Sequence, residues 1–373
     1  MLSSLLTLLF SFFVLVLLMI IHEFGHFIIA KKFKVRVDEF GIGYPPRMFG
    51  KKFGETLYSV NWIPLGAFVR IYGEEDGVEG SRSFNSLKIW KKVMIVIGGV
   101  AAFWLCSMVI FTLMFMIGSD LPISDQDAPG LSNPKLIIVQ VADDSPAKNA
   151  GLKQGDEIKT VTTIDNHVFT VNKTNDFQSI INDNKGQPIT ITIQRNNDLV
   201  PINVVPRALA PQGQGVLGIS LERTATLIEK QPFYMAPIKG VAYTFKMTWV
   251  ALEGLYTVFQ NLIFGRGLPQ GAEFAGPLGI TIFLANALSY GPGFFLYFIG
   301  LISIFVAIFN VFPIPALDGG KLVFLLIEKI RGKPVSPQLE QKISALFFIL
   351  LISLSIFVTI KFDIPRFRDF INF

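Results

Sequence analysis

The chain has 373 residues, of which 51% are hydrophobic and only 16% are charged, with a net charge of +5 at pH 7. Soluble domains carry about 25% charged residues, so much of this chain is expected to face lipid instead of water. The modest charge, without a dense basic block, argues against a nucleic-acid partner. The single cysteine, Cys106, excludes a disulfide framework and a zinc cage built from cysteines.

The first apolar segment, residues 1–32, has no charged residue between Leu2 and Ile21. About 20 apolar residues are enough to cross a bilayer, and the segment has neither the basic start nor the cleavage site of a signal peptide. We therefore predict a retained transmembrane helix. The alternative is a helix that ends by Ile21, but the apolar residues 27–30 argue against it.

Three polar residues interrupt this span in the sequence HEFGH. His22 and His26 are four positions apart, so a helix places both imidazoles on one face, as two ligands of a zinc ion require. Glu23 follows the first histidine and can act as general base on a metal-activated water. Ionisable residues inside a membrane are costly and are therefore candidate functional residues. The third histidine, His167, is interpreted as a surface residue.

Residues 33–92 form a polar loop, with twelve lysines and arginines between Lys31 and Lys92. By the positive-inside rule this loop is cytoplasmic, and both ends of the chain lie outside. The apolar strands around residues 64–66 predict a β-hairpin whose edge can pair with an extended substrate. The candidate substrate-binding residues of this hairpin are Trp62, Pro64, Leu65, Gly66 and Phe68. Alternatively, the hairpin only covers the site.

Three further spans are predicted, at residues 93–118, within residues 283–331, and at residues 343–361. Between the second and third spans, residues 127–222 have the composition of a soluble α+β domain. Residues 223–282 have aromatic residues at helical spacing, which predicts amphipathic linker helices on the outer face or packed against the soluble domain.

Within the soluble segment, residues 136–141, 157–162 and 189–194 are rich in β-branched residues and predict strands. Residues 145–152 predict a short helix capped at both ends.

A zinc site needs a third protein ligand, and Asp318 is the notable carboxylate in the later spans. It lies in the sequence NVFPIPALDGG at residues 310–320. Pro313 and Pro315 break the helix there, and metal ligation would explain an aspartate on an unwound intramembrane segment. Alternatively, Asp318 caps a helix that begins near Lys321.

Together, these two motifs resemble those of the site-2 protease family of intramembrane zinc metalloproteases, in particular the bacterial regulator of sigma-E proteases. Residues 61–74 resemble the membrane re-entrant β-hairpin of that family, and residues 276–280 resemble the loop before its third span. Residues 145–158 are similar to part of a PDZ domain. Several members have two PDZ domains, whereas this chain has room for one.

The resemblance implies a multi-spanning α-helical membrane protein with four transmembrane helices, a membrane-associated β-hairpin and one α+β PDZ domain. It implies a Zn²⁺ ion held by His22, His26 and Asp318, Glu23 as catalytic base, and Asn310 in contact with substrate. It further implies a bacterial inner-membrane protease of single-span transmembrane proteins, with an extracytoplasmic PDZ domain that admits substrates trimmed by another protease.

Three other functions agree less well with the sequence. A channel or transporter predicts repeated halves with broken helices, and the sequence has no internal repeat. An inactive membrane scaffold with a peptide-binding domain would be expected to lack Glu23 or one ligand, whereas all four residues are present. A soluble PDZ chaperone with an anchor does not account for four spans.

Overall fold

The computed structural model describes residues 2–74, 77–123, 125, 132–142, 144–195, 198–211, 215–228, 230–267 and 274–371. Its α-helices are α1 (Leu2–Lys32), α2 (Ile89–Ile117), α3 (Pro146–Ala150), α4 (Thr174–Asp183), α5 (Ala236–Ile263), α6 (Pro277–Ala287), α7 (Pro292–Val311), α8 (Asp318–Arg331), α9 (Pro337–Val358) and α10 (Ile364–Ile371). Its strands are β1 (Val37–Phe53), β2 (Thr56–Ile71), β3 (Ser119–Pro122), β4 (Ser132–Val141), β5 (Glu157–Thr162), β6 (Val168–Thr170), β7 (Ile189–Arg195), β8 (Asp198–Val204) and β9 (Ile219–Ile228).

Four helices of the described chain are long and apolar enough to cross a membrane. They comprise Leu5–Lys32 of α1, all of α2 and α7, and the continuous helical segment Pro337–Arg368 that starts with α9. These helices fit a multi-pass membrane protein, as the composition predicts.

The α1 and α2 helices cross closely because glycines meet at their contact. A Cβ atom on Gly25 would lie 2.3 Å from the carbonyl oxygen of Gly98, and small residues of this kind let helix backbones approach within a membrane. Hydroxyl groups join α2 to α7, since Ser107 and Ser303 each donate a hydrogen bond to a backbone carbonyl of the opposite helix, at 2.8 and 2.9 Å. Thus α2 lies between α1 and α7.

The β1 and β2 strands form an antiparallel sheet next to α1, with a turn at residues 54–55. The predicted strand pairing is wrong, because residues 64–66 lie within β2 and do not form the turn of a hairpin. Phe40 of β1 has two Cα partners, Tyr58 and Val69, one in each half of β2. The first part of β1 therefore lies between the two halves of β2, a long-range pairing that alternation of apolar residues does not specify.

A separate sheet forms the domain between α2 and α5, in the order β3-β9-β4-β5-β7-β8, with β6 paired to β5. The predicted strands at residues 157–162 and 189–194 are confirmed, and so is the short capped helix. Ser145 Oγ accepts a hydrogen bond from the backbone N–H of Lys148, and Gly151 ends α3 in the left-handed conformation. Residues 127–131, the predicted start of this domain, lie outside the described residues.

The predicted linker segment contains one long helix, α5, which packs along α2 and α7. Its Tyr243 ring lies 5.1 Å from that of Phe111 on α2, and its Phe259 ring lies 6.5 Å from that of Phe312, directly after α7. Residues 268–273 of the predicted linker lie outside the described residues.

Candidate metal centre

Two imidazoles on α1 face one point, as their spacing predicts. The Nε2 atoms of His22 and His26 are 3.2 Å apart, and both side chains are buried. One carboxylate oxygen of Glu23 lies within 4.8 Å of a ring nitrogen of each histidine. One turn of α1 therefore brings two potential nitrogen ligands and a carboxylate together.

Asp318 reaches the same point from a distant part of the chain. The α7 helix ends at Val311, and α8 begins at Asp318 itself after the extended residue Leu317. The alternative interpretation of Asp318 as an N-cap is wrong, because the residue occupies the first helical position. Within the described chain, no side chain caps this helix start. The Oδ2 atom of Asp318 lies 3.4 Å from the Nε2 atoms of both His22 and His26.

These three atoms fit a zinc ion. Zinc bonds to nitrogen and oxygen of about 2.0–2.1 Å, arranged tetrahedrally, separate the ligand atoms by about 3.3–3.4 Å. The observed separations are 3.2, 3.4 and 3.4 Å. Asp318 Oδ2 is buried and has no hydrogen-bond partner among the described residues, so its lone pairs are available to a metal. Two imidazoles and a carboxylate also form a donor set of catalytic zinc sites.

The α2 helix shapes the centre without contributing a predicted ligand. The Nδ1–H of His26 donates a hydrogen bond of 2.9 Å to the carbonyl of Ile95, which leaves the Nε2 lone pair free for a metal. The His22 ring stacks on Phe103 with centroids 4.7 Å apart. A Cβ atom on Gly99 would lie 2.3 Å from His26 Nε2, so only glycine leaves room for the imidazoles.

Sequence reasoning did not identify this function of α2. The signal in the sequence is the pair of adjacent glycines, 98 and 99, in an otherwise bulky apolar span.

A cavity of about 620 Å³ opens next to these residues, and Glu23, His26 and Asp318 line one part of it. Other lining residues come from β2, α2, α8 and α9 and include Val69, Ile71, Lys92, Lys321, Glu328 and Ser344. The candidate metal centre is therefore open to a space large enough for part of a peptide chain.

The remaining predicted site residues lie elsewhere. Asn310 donates its amide hydrogen bond to the Val306 carbonyl of its own helix and does not line the cavity. Trp62 and Pro64 are exposed and also lie away from the cavity lining, while the side chain of Leu65 is outside the described part of the structure. Gly66 has a φ of +76°, which bends β2.

Phe68, the last of the predicted hairpin contacts, stacks on Tyr44, with ring centroids 6.2 Å apart. Val69, the next residue, and Ile71, two positions further, line the cavity instead. Successive side chains of a strand point to opposite faces, so Phe68 points away from the cavity. This half of β2 therefore borders the candidate centre, with Phe68 on its other face.

The comparisons with known proteins agree with this chemistry. A family profile described as peptidase family M50 matches residues 10–354. A relative from Clostridium perfringens, named "putative zinc metalloprotease", is 30% identical over 92% of this chain and 94% of its own length. Relatives from Nostoc sp. and Rhizobium meliloti with the same description are 30% and 26% identical, over 93% and 92% of this chain and 93% of each relative. The chain therefore belongs to peptidase family M50 and is a zinc-dependent metalloprotease of the site-2 type.

Proposed function

We propose that this membrane metalloprotease hydrolyses peptide bonds within or next to the transmembrane segments of single-span proteins. His22, His26 and Asp318 are the proposed zinc ligands, and Glu23 is the proposed general base. The observation that carries this assignment is the triangle of Nε2, Nε2 and Oδ2 atoms, with edges of 3.2, 3.4 and 3.4 Å, beside the Glu23 carboxylate.

Held by these three residues, zinc would lower the pKa of a water molecule and would polarise the carbonyl group of the scissile peptide. The Glu23 carboxylate accepts a proton from the attacking water. The same group then donates this proton to the leaving amine nitrogen, so that the peptide bond breaks without releasing a free amide anion. The Ile95 carbonyl and the Phe103 ring hold the imidazoles in place during these steps.

A transmembrane substrate must unwind before attack, because a helix hides its carbonyl groups in internal hydrogen bonds. The second half of β2 borders the cavity, so an extended substrate segment can pair with it by strand addition. In this proposal Val69 and Ile71 contact the substrate side chains. Asn310 remains a candidate substrate contact, which requires its amide to leave the Val306 carbonyl when substrate binds.

We further propose that the domain formed by strands β3 to β9 is a PDZ domain, and that it selects substrates already trimmed by another protease. A groove of about 480 Å³ between α4 and the start of β9, lined by Phe177, Ile181 and Leu217, supports this assignment. Peptides add to PDZ domains beside a strand. The basic loop between α1 and α2 supports the proposal that this domain lies on the extracytoplasmic side of a bacterial inner membrane.

The test uses the full chain purified with and without Glu23→Gln. Zinc content is measured by elemental analysis, and cleavage is measured on a single-span substrate with and without a bulky outer domain. We expect one zinc per chain in both forms and cleavage only by the unmodified enzyme. Equal cleavage by both forms, or no zinc in either, would contradict the assignment. Deletion of residues 128–219 is expected to abolish the preference for the trimmed substrate.

A further inference from the structure

One face of α2 contacts both the histidine helix and the helix that carries Asp318. Lys92, Ile95, Val96 and Gly99 occupy helix positions i, i+3, i+4 and i+7, which share a face. The last of these residues leaves room for the two imidazoles, and the carbonyl of Ile95 accepts the hydrogen bond from His26. This face of α2 therefore positions both imidazoles.

The same face also contacts α8. Ile95 and Val96 belong to one buried apolar cluster with Leu325 of α8. At the end of the face, Lys92 Nζ donates a hydrogen bond to Glu328 Oε1 at 2.7 Å. The α8 helix is thus joined to α2 by an apolar contact and, one turn beyond it, by an ion pair.

The ion pair is unusual in its burial. The Lys92 side chain is 2% exposed, whereas lysine is almost never fully buried unless it is paired. Glu328, at 16%, is also largely removed from solvent. A buried charge without a partner is strongly unfavourable, so α8 can slide along α2 only if both charges lose their partners.

Asp318 is the first residue of α8 and Glu328 lies ten residues later, about 15 Å along the helix axis. A helix of this length is rigid, so a shift at Glu328 moves Asp318 as well. We infer that Lys92 and Glu328 are positioning residues that hold α8 in register, so that Asp318 Oδ2 stays within ligand distance of both imidazoles. This inference rests on the proposed assignment of Asp318 as the third zinc ligand.

The experiment compares the full-length chain with Lys92→Met/Glu328→Met, which removes both charges and leaves neither unpaired, and with Lys92→Arg, which keeps the pair. Zinc affinity is measured by competition with a chelator, and the geometry of the site by the absorption spectrum of the Co²⁺-substituted protein. We expect the double methionine variant to bind zinc about 10-fold to 100-fold more weakly, with an altered Co²⁺ spectrum. Lys92→Arg is expected to retain the affinity and spectrum of the unmodified chain.

The matched control is an ion pair with a buried carboxylate in the domain formed by β3 to β9, that of Arg195 and Asp156 at 2.6 Å, whose side chains are 27% and 2% exposed. Arg195→Met/Asp156→Asn is expected to lower thermal stability without changing zinc affinity or the Co²⁺ spectrum. This control separates a general loss of stability from a displaced ligand.

A double methionine variant with unchanged affinity and spectrum would overturn the inference, provided that Asp318→Ala loses zinc and so upholds the ligand assignment. If Asp318→Ala binds zinc as tightly as the unmodified chain, the ligand assignment fails and the inference fails with it. Should the double variant not fold, Glu328→Gln is measured in the same way. If Glu328→Gln had the same zinc affinity and Co²⁺ spectrum as the unmodified chain, the inference would again be overturned. Weaker zinc binding with an altered spectrum would support it.

Discussion

The helices α2 and α9 are both long and apolar enough to cross a membrane, but they are packed very differently. Within its most apolar stretch, α2 has 39% of its residues buried, compared with 6% in the segment that starts with α9. The α2 helix contacts α1, α5, α7 and α8. The α9 helix is held near its N-terminal end, where Ser344 Oγ donates to the Pro315 carbonyl at 2.8 Å and Glu340 pairs with Lys321 at 2.7 Å.

This difference follows from what each helix must position. The three proposed ligand atoms come from two helices. They have to stay within a few tenths of an ångström of one arrangement, which requires close packing around them. In lipid, apolar surfaces do not drive helices together, so a helix such as α9 is held by packing and by specific polar contacts. Thus α2 determines the geometry of the proposed metal centre, whereas α9 forms a more loosely attached wall of the cavity.

The largest expected effect comes from Gly99→Ala, which breaks the packing of α2 at the centre. The new Cβ atom would lie 2.3 Å from His26 Nε2 and 2.5 Å from His22 Cε1, so the imidazoles must move. We expect loss of zinc and a fall in cleavage rate of about 100-fold, since displacement by about 1 Å has that effect. Zinc content and cleavage of a single-span substrate check this.

The matched control for Gly99→Ala is Gly254→Ala in α5, where a Cβ atom meets no atom within 4 Å. It is expected to keep zinc and activity. A Gly99→Ala protein with a full complement of zinc would show that α2 does not determine the geometry of the site.

An intermediate effect is expected from Asp363→Ala, which removes a contact at the C-terminal end of the α9 segment. The Asp363 side chain is fully buried and accepts a hydrogen bond of 3.1 Å from the Gly276 N–H, which would be left unpaired. We expect a loss of stability of about 1–3 kcal/mol, measured as a lower midpoint of thermal unfolding, with zinc content unchanged. The exposed Asp183→Ala serves as control, and loss of zinc in the Asp363 variant would contradict the separation of roles.

The smallest effect is expected from Ser344→Ala, at the other end of α9. This change removes one hydrogen bond, to the Pro315 carbonyl, and is expected to lower stability by about 0.5–1.5 kcal/mol. Thermal unfolding and zinc content are compared with those of Ser353→Ala, an exposed serine on the same helix. If Ser344→Ala lost zinc while Ser353→Ala kept it, α9 would belong to the framework of the centre.

Several features of the chain were predictable from local sequence alone. The long apolar segments predict α1, α2 and α7, because the length of an apolar run is a local property. The spacing of His22 and His26 predicts their shared face, and the serine and glycine around residues 145–151 predict the capped helix α3. These features depend on neighbours within one or two turns, which a sequence shows directly.

Other features required the tertiary structure. The two halves of β2 lie on either side of β1, and a shift of one residue decides that Val69 faces the cavity instead of Phe68. Likewise, the functions of Gly99 and Lys92 depend on which helices α2 meets, which the apolar pattern of α2 does not specify.

Residue identity therefore sets the chemistry of this protein: two imidazoles and a carboxylate in one span, and an aspartate on a broken helix in another. The 3.4 Å distances from Asp318 Oδ2 to both imidazoles, and the position of α2 against those rings, depend on the tertiary fold. The physical reason is that ligand types are set by residue identity, whereas distances between residues far apart in the chain are set by helix packing.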